Sequence, residues 1–206
     1  MKYSMFKKSA LALLLVSPSI LAIPPTHAIA ELPELSQESH HETAAERATA
    51  YFTRYHFSQP SLNDALSEKI HERYLRLLDY NKMFLLRDDV EASQEYATLF
   101  DDMLTSGELD IAYDLYQTSL KRRFQRYLYA LSLLDPEQPM DFTVEGDKYY
   151  YDREDQAWAA STEELDDLWY SRVKYDALNL KLTGKEWPEI VETLGKRYNS
   201  ALNLSL

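Results

Sequence analysis

The stretch from Tyr113 to Leu134, YDLYQTSLKRRFQRYLYALSLL, constrains the fold of this chain more than any other. Its apolar residues keep helical spacing, and it contains neither proline nor glycine. Asp110 stands before it as a cap, and Pro136 and Pro139 end it by removing backbone donors. A helix of this length gains little stability from its own backbone and must bury its apolar side against other elements.

Those elements are also helical in pattern. Thr43 and Glu46 have capping-box spacing and predict a first helix, with Ala44, Ala48, Tyr51, Phe52 and Tyr55 on one face and a break at Gln59-Pro60. Ser61, with Asp64 three residues on, opens a second helix carrying Leu66, Ile70, Tyr74 and Leu78. Asp79 to Lys82 reads as a turn, and Met83 to Leu86 as a short apolar anchor. Asp88 or Asp89 caps a third helix that runs through Ala97 and Phe100 to Leu104 and stops at Gly107. Thr162 to about Leu182 is a fifth helix, and Trp187-Pro188 opens a sixth, proline being tolerated in a first helical turn. One segment differs: Phe142 to Val144, then Glu145 to Asp147, then Tyr149 to Tyr151 reads as strand, turn and strand. The expected fold is therefore mainly α, a bundle of about six helices with one small β-hairpin near 142–151.

The first 30 residues do not belong to that bundle. Lys2, Lys7 and Lys8 precede a short apolar run from Ser9 to Ile23, broken by Pro18, and Ala28-Ile29-Ala30 forms an Ala-x-Ala cleavage pattern. This is the pattern of a secretory signal peptide and implies export. Residues 31–42 then read as a flexible lead-in and 43–206 as the helical domain. The formal charge is −12, and removing the signal segment takes away lysines only. Such an acidic chain repels nucleic acid and anionic lipid. The absence of cysteine excludes disulfides and a lipid-modified N-terminal cysteine.

Catalytic patterns are weak. Ser171 and Lys174 match Ser-x-x-Lys, but Thr183-Gly184-Lys185 is in the wrong order for the companion motif, so both read as helix-surface residues. His71-Glu72 begins like a zinc-protease motif, yet Leu75 occupies the place of the second histidine, so His71 reads as a surface residue. His40, His41 and Glu42 lie in the lead-in without a preorganised cage. The pairs Asp88-Asp89, Asp101-Asp102 and Asp166-Asp167 point about 100° apart on a helix and form no acid–base couple. The four glycines, at 107, 146, 184 and 195, make no phosphate-cradling loop. No catalytic residue, metal ligand or cofactor is assigned.

The basic knot of Lys121, Arg122, Arg123 and Arg126 remains. Arg122 and Arg126, one turn apart, suit carboxylates. The knot reads first as an internal network with the domain's own acids. The alternative is a docking site formed by Arg122, Arg123 and Arg126.

With ERATAYFTRYHF at Glu46–Phe57, YLRLLDYNKMFLLRDDV at Tyr74–Val90, PMDFT at Pro139–Thr143 and WYSRVKYDALNLKLTGK at Trp169–Lys185, the chain resembles the N-terminal domain of the periplasmic tail-specific protease. That protease belongs to the C-terminal processing serine peptidases. The resemblance runs from about Glu31 to Ala201 and implies a place before a protease domain that carries an inserted PDZ module. It implies a serine–lysine enzyme that degrades or processes exported proteins from apolar C-terminal tails. The catalytic half is not in this sequence. The resemblance implies as partners the protease body or PDZ module, a helical-repeat lipoprotein adaptor and protein substrates. The expectation is an inactive piece, a truncated part of such an enzyme. The alternative is a free-standing periplasmic interaction module that binds the protease, its adaptor or its substrates.

Overall fold

The computed structural model describes residues 32–58 and 60–204. The signal-peptide segment lies outside the described residues. Seven α-helices are formed among those residues: α1 Ser39–Tyr55, α2 Asp64–Leu78, α3 Arg87–Ser93, α4 Phe100–Ser106, α5 Asp110–Ser132, α6 Thr162–Leu182 and α7 Trp187–Leu204. A single 3-10 turn, Gln94–Tyr96, follows α3.

The long helix is the spine, as its sequence requires. Helices α5, α6 and α7 pack on one another. Between them lie Ala130, Trp169, Val173, Ala177, Ile190, Leu194 and Tyr198, all nearly or wholly buried. Their spacing along α6 and α7 is four residues, which lines one helical face. Met83 joins this core from the loop after α2. A smaller cluster of Leu86, Ala159 and Leu165 closes the other end of α6. There the amide of Arg87 donates to the carbonyl of Ala159 at 2.8 Å, and Leu86 and Ala159 form an isolated parallel bridge.

The expected third helix is two helices. Nothing between Asp88 and Leu104 would break it locally, since the segment holds neither proline nor glycine. The break is tertiary. Ser67 of α2 is fully buried; its hydroxyl donates to the Ala97 carbonyl at 2.8 Å and accepts from the Phe100 amide at 2.7 Å. That hydroxyl caps the start of α4, and the chain turns around it.

The expected hairpin does not form. Residues 142–151 are neither helix nor strand, and no backbone–backbone hydrogen bond joins them to any described residue. Two strands alone lack a buried face, and no third is available among the described residues. Phe142 instead packs edge-on against Trp187, and Tyr149 packs against Tyr175, so the segment lies as a strap over the helices.

The helix α1 also begins earlier than expected, at Ser39 rather than Thr43. Glu38 is its cap, with His41 completing the capping box. The residues before it are tied down. The Gln37 side chain donates to the Gly107 carbonyl and accepts from the Leu109 amide, each at 2.6 Å. Gln117 of α5 does the same for Pro33 and Leu35, at 3.1 and 3.3 Å.

Candidate docking surface

Each arginine of the basic knot already has an acceptor within the domain. Arg122 makes a two-pronged bond to Asp89 at 2.8 Å on both arms, and the same carboxylate caps α3 by accepting the Leu86 amide at 2.9 Å. Arg126 is buried and paired with Asp166 of α6. Arg123 donates to the Leu78 carbonyl and to Ser119, and its guanidinium lies over the Phe84 ring at 4.8 Å. Lys121 is exposed. The knot therefore clamps α3, α6 and the end of α2 onto α5.

The turn after α2 is organised by a residue whose role the sequence pattern did not reveal. Asp79 is buried, and its carboxylate accepts from the amides of Met83, Phe84 and Leu85 at 2.8, 2.8 and 2.9 Å. Burial raises its pKa, while the three amides and nearby Arg123 pull it down. The signal, an acid followed by an apolar run, was present, but the chain reversal at Lys82, whose φ is 51°, was needed to see it.

His71 is not on the surface as expected. It is buried, with Nε2 2.9 Å from the Ser93 hydroxyl and its ring edge-on to Phe100. Desolvation lowers its pKa. His71 also borders a cleft of about 800 Å³ whose walls mix Glu72, Arg76, Lys82, Asp155 and Trp158. Ser171 spends its hydroxyl on the Asp167 carbonyl at 2.9 Å, while Lys174 pairs with Asp147. Both line one small pocket beside the 142–149 segment, but no hydrogen bond joins them: the serine hydroxyl is held by its own helix and the lysine by Asp147. Tyr113 hydroxyl meets His41 Nδ1 at 2.7 Å, while His40 pairs with Glu38 at 3.4 Å. Among the described residues no group of three His, Asp or Glu converges on a metal position.

What the domain does leave bare is the second half of α1. The helix packs on α4, and Gly107 makes the approach possible near its start: at φ 78°, a Cβ there would sit 2.8 Å from Glu42 Cγ and 2.9 Å from the Glu42 carbonyl. Beyond that contact the helix carries Tyr51, Phe52 and Tyr55, with Phe57 just after its end, and these are 66%, 43%, 68% and 103% exposed. Tyr51 and Tyr55 pack ring to ring at 5.5 Å. No residue of α1 is buried. Arg47 and Arg54 flank the stripe, with no acid after Glu46 in the helix. An aromatic stripe with a cationic rim is a surface suited to a protein partner rather than to water.

Residues 48–205 match the family model described as the tail specific protease N-terminal domain. The chain belongs to that family. It is also 42% identical over 172 residues to the tail-specific protease of Haemophilus influenzae, a match covering 83% of this chain and 24% of that protein. The domain thus spans about a quarter of the length of the curated relative it matches. The matched region contains the whole strip from α2 to α7, so the arginine clamps, the Asp79 turn and the bare part of α1 all lie within the family domain. Among the described residues no helix is long and apolar enough to cross a membrane.

Proposed function

We propose that this chain is the N-terminal helical domain of an exported serine protease of the C-terminal processing type, acting in the periplasm on proteins with apolar C-terminal tails. The domain supplies no nucleophile. Its role is to hold a catalytic body, and α1 is the element that does so. The observation that carries this reading is the bare aromatic stripe of Tyr51, Phe52, Tyr55 and Phe57 on a domain whose family relative is about four times longer than the matched segment. A partner buried on those rings gains roughly 25 cal/mol for each Å² of apolar surface withdrawn from water. Export rests on the Lys-rich start, the short apolar run and Ala28-Ile29-Ala30.

A chimera tests it. The matched segment of the Haemophilus influenzae tail-specific protease is replaced by the corresponding residues of this chain. The expected result is a folded enzyme that cleaves a reporter protein ending in an apolar tail and spares the same reporter ending in charged residues. A folded chimera without that cleavage would point instead to a free-standing interaction module.

A further inference from the structure

Arginines withdrawn from solvent are paired in this domain, except where the strap crosses α6. Arg122, Arg123 and Arg126 each meet an acceptor. Arg153 and Arg172 are also partly buried, yet no described residue accepts a hydrogen bond from either guanidinium or forms an ion pair with it. The Arg153 Nε is itself buried without a partner. Arg172 rests its guanidinium over the Trp169 ring at 4.9 Å, a stacking contact that spends none of its N–H donors. The chain path brings the two arginines together. The strap packs Tyr149 on Tyr175 at 5.3 Å and its continuation reaches Leu165 at Ala159, so it runs back along α6 and carries Arg153 past the turn that bears Arg172. Burial raises the pKa of the Tyr149 hydroxyl; Arg172 opposes the rise, Asp176 adds to it and Arg153 opposes it, so both guanidinium charges reach that oxygen. The hydroxyl makes no hydrogen bond to a described residue either. Acids nearby are engaged elsewhere. Asp176 accepts the Tyr198 hydroxyl at 2.8 Å and lies 3.7 Å from Arg197, Glu154 is bound by Arg76 and Tyr80, and Asp152 accepts the Glu154 amide at 3.2 Å.

Donors without an acceptor, one of them buried, call for an acceptor from outside the described residues, because a buried polar atom left unpaired is costly. Guanidinium groups suit carboxylates, which they bind through paired hydrogen bonds. We propose that Arg153 and Arg172, with the Tyr149 hydroxyl, seat the carboxylate of an Asp or Glu side chain carried by the part of the longer family protein that lies outside this domain. The domain's own charge selects that source. At −12 the chain repels free anions, a client's terminal carboxylate among them. A carboxylate on the same polypeptide is delivered at an effective concentration of about millimolar and needs no long-range attraction. The matched relative is about four times longer than the shared segment, so the family protein has chain to supply it. The inference rests on the reading of this domain as part of such a protease. It adds a charged contact on α6 to the apolar one on α1.

The probe is phenylglyoxal, which modifies unpaired guanidinium groups, with the rate at each arginine read by peptide mass spectrometry against N-acetylarginine in the same tube. In the full chain alone, Arg153 and Arg172 are expected to react about tenfold faster than Arg122 and Arg126, whose carboxylates protect them. Equal slowness there overturns the proposal, whatever the longer protein does. In the folded chimera with the Haemophilus influenzae protease, Arg153 and Arg172 should slow about tenfold. Arg47 and Arg54 report on α1 in the same digest. An open seat beside a covered α1, or the reverse, therefore separates this proposal from the reading it rests on. Mere coverage is told apart from pairing by Arg153→Lys and Arg172→Lys, which let a carbodiimide join the introduced amine to a carboxylate touching it. The expected product links position 153 or 172 to an Asp or Glu of the protease body. Unslowed arginines in the folded chimera overturn the proposal. So does an introduced amine that links to nothing, or only to the domain's own Asp152, Glu154 or Asp176.

Discussion

The indole N–H of Trp169 donates to the carbonyl of Met83 at 2.6 Å, joining the middle of α6 to the turn that follows α2. The ring is fully buried and meets Phe84, Tyr127 and Tyr198 at centroid distances of 5.5, 5.6 and 6.4 Å. Packing and hydrogen bonding can be separated here. Trp169→Ala is expected to cost about 3–5 kcal/mol through the cavity. Trp169→Phe keeps much of the apolar contact but strands the Met83 carbonyl, and should cost about 1–3 kcal/mol. Urea unfolding followed by circular dichroism measures both; no loss in Trp169→Phe would mean that the hydrogen bond contributes nothing, and equal losses in the two variants would mean that the ring packing contributes nothing beyond it.

The arginine clamps make a second prediction. Asp89 serves Arg122 and the α3 cap at once, so Arg122→Ala should lower stability by about 1.5–3 kcal/mol and fray α3. Arg126→Ala should act similarly by leaving Asp166 without its partner. Neither change should weaken association with a catalytic body. Hydrogen exchange of the α3 amides checks the first claim, and a binding loss at unchanged stability would return the knot to the role of a dock.

Much of this was legible in the sequence, and the misses share a cause. The bounds expected for α6, Thr162 to about Leu182, are those found, and the structure adds the cap: the Ser161 hydroxyl accepts the Glu164 amide. The break between α3 and α4 was illegible because it depends on Ser67, 30 residues from Ala97 in sequence. His71 looked like a surface residue because its partner Ser93 lies 22 residues away on another helix. The strap shows the converse: its residues suggested a hairpin, but none forms, because no further strand stands nearby among the described residues to pair with it. The stripe on α1 was visible as a face that wants burial. Periodicity says that such a face exists, not what covers it.

Buried His71 makes stability depend on pH. Its pKa is lowered from 6.5 by desolvation, so the unfolded chain takes up a proton more readily than the folded one. Its contribution is therefore intact above about pH 6.5 and is lost as pH falls through the lower folded value. The folded chain should lose stability on going from pH 7 to pH 5, and His71→Gln should lose less over the same range. Parallel stability–pH curves for the two proteins would show that His71 is not a source of the slope.

The approach of α1 to α4 predicts a strong effect from one methyl group. In Gly107→Ala the new Cβ would meet both the side chain and the backbone of Glu42, at a φ of 78° that costs a side-chain-bearing residue roughly 1–2 kcal/mol by itself. The expected loss is about 2 kcal/mol or more, concentrated in α1. Limited trypsin digestion should cut after Arg47 and Arg54 well before the rest of the domain unfolds. Unchanged cleavage at those arginines would mean that α1 does not depend on this contact.

The bare stripe separates folding from docking. Tyr51, Tyr55 and Phe57 are so exposed that changing all three to serine should alter the stability of the isolated chain by no more than about 0.5 kcal/mol per site. The same changes remove most of the apolar surface that α1 offers to a partner. In the chimera with the Haemophilus influenzae protease, they should therefore lower the midpoint of thermal unfolding and expose α1 to trypsin. The isolated chain carrying the same changes should unfold like its parent. A chimera indifferent to all three serines would show that the catalytic body does not rest on α1. A loss of stability in both contexts would place these rings in the domain's own packing.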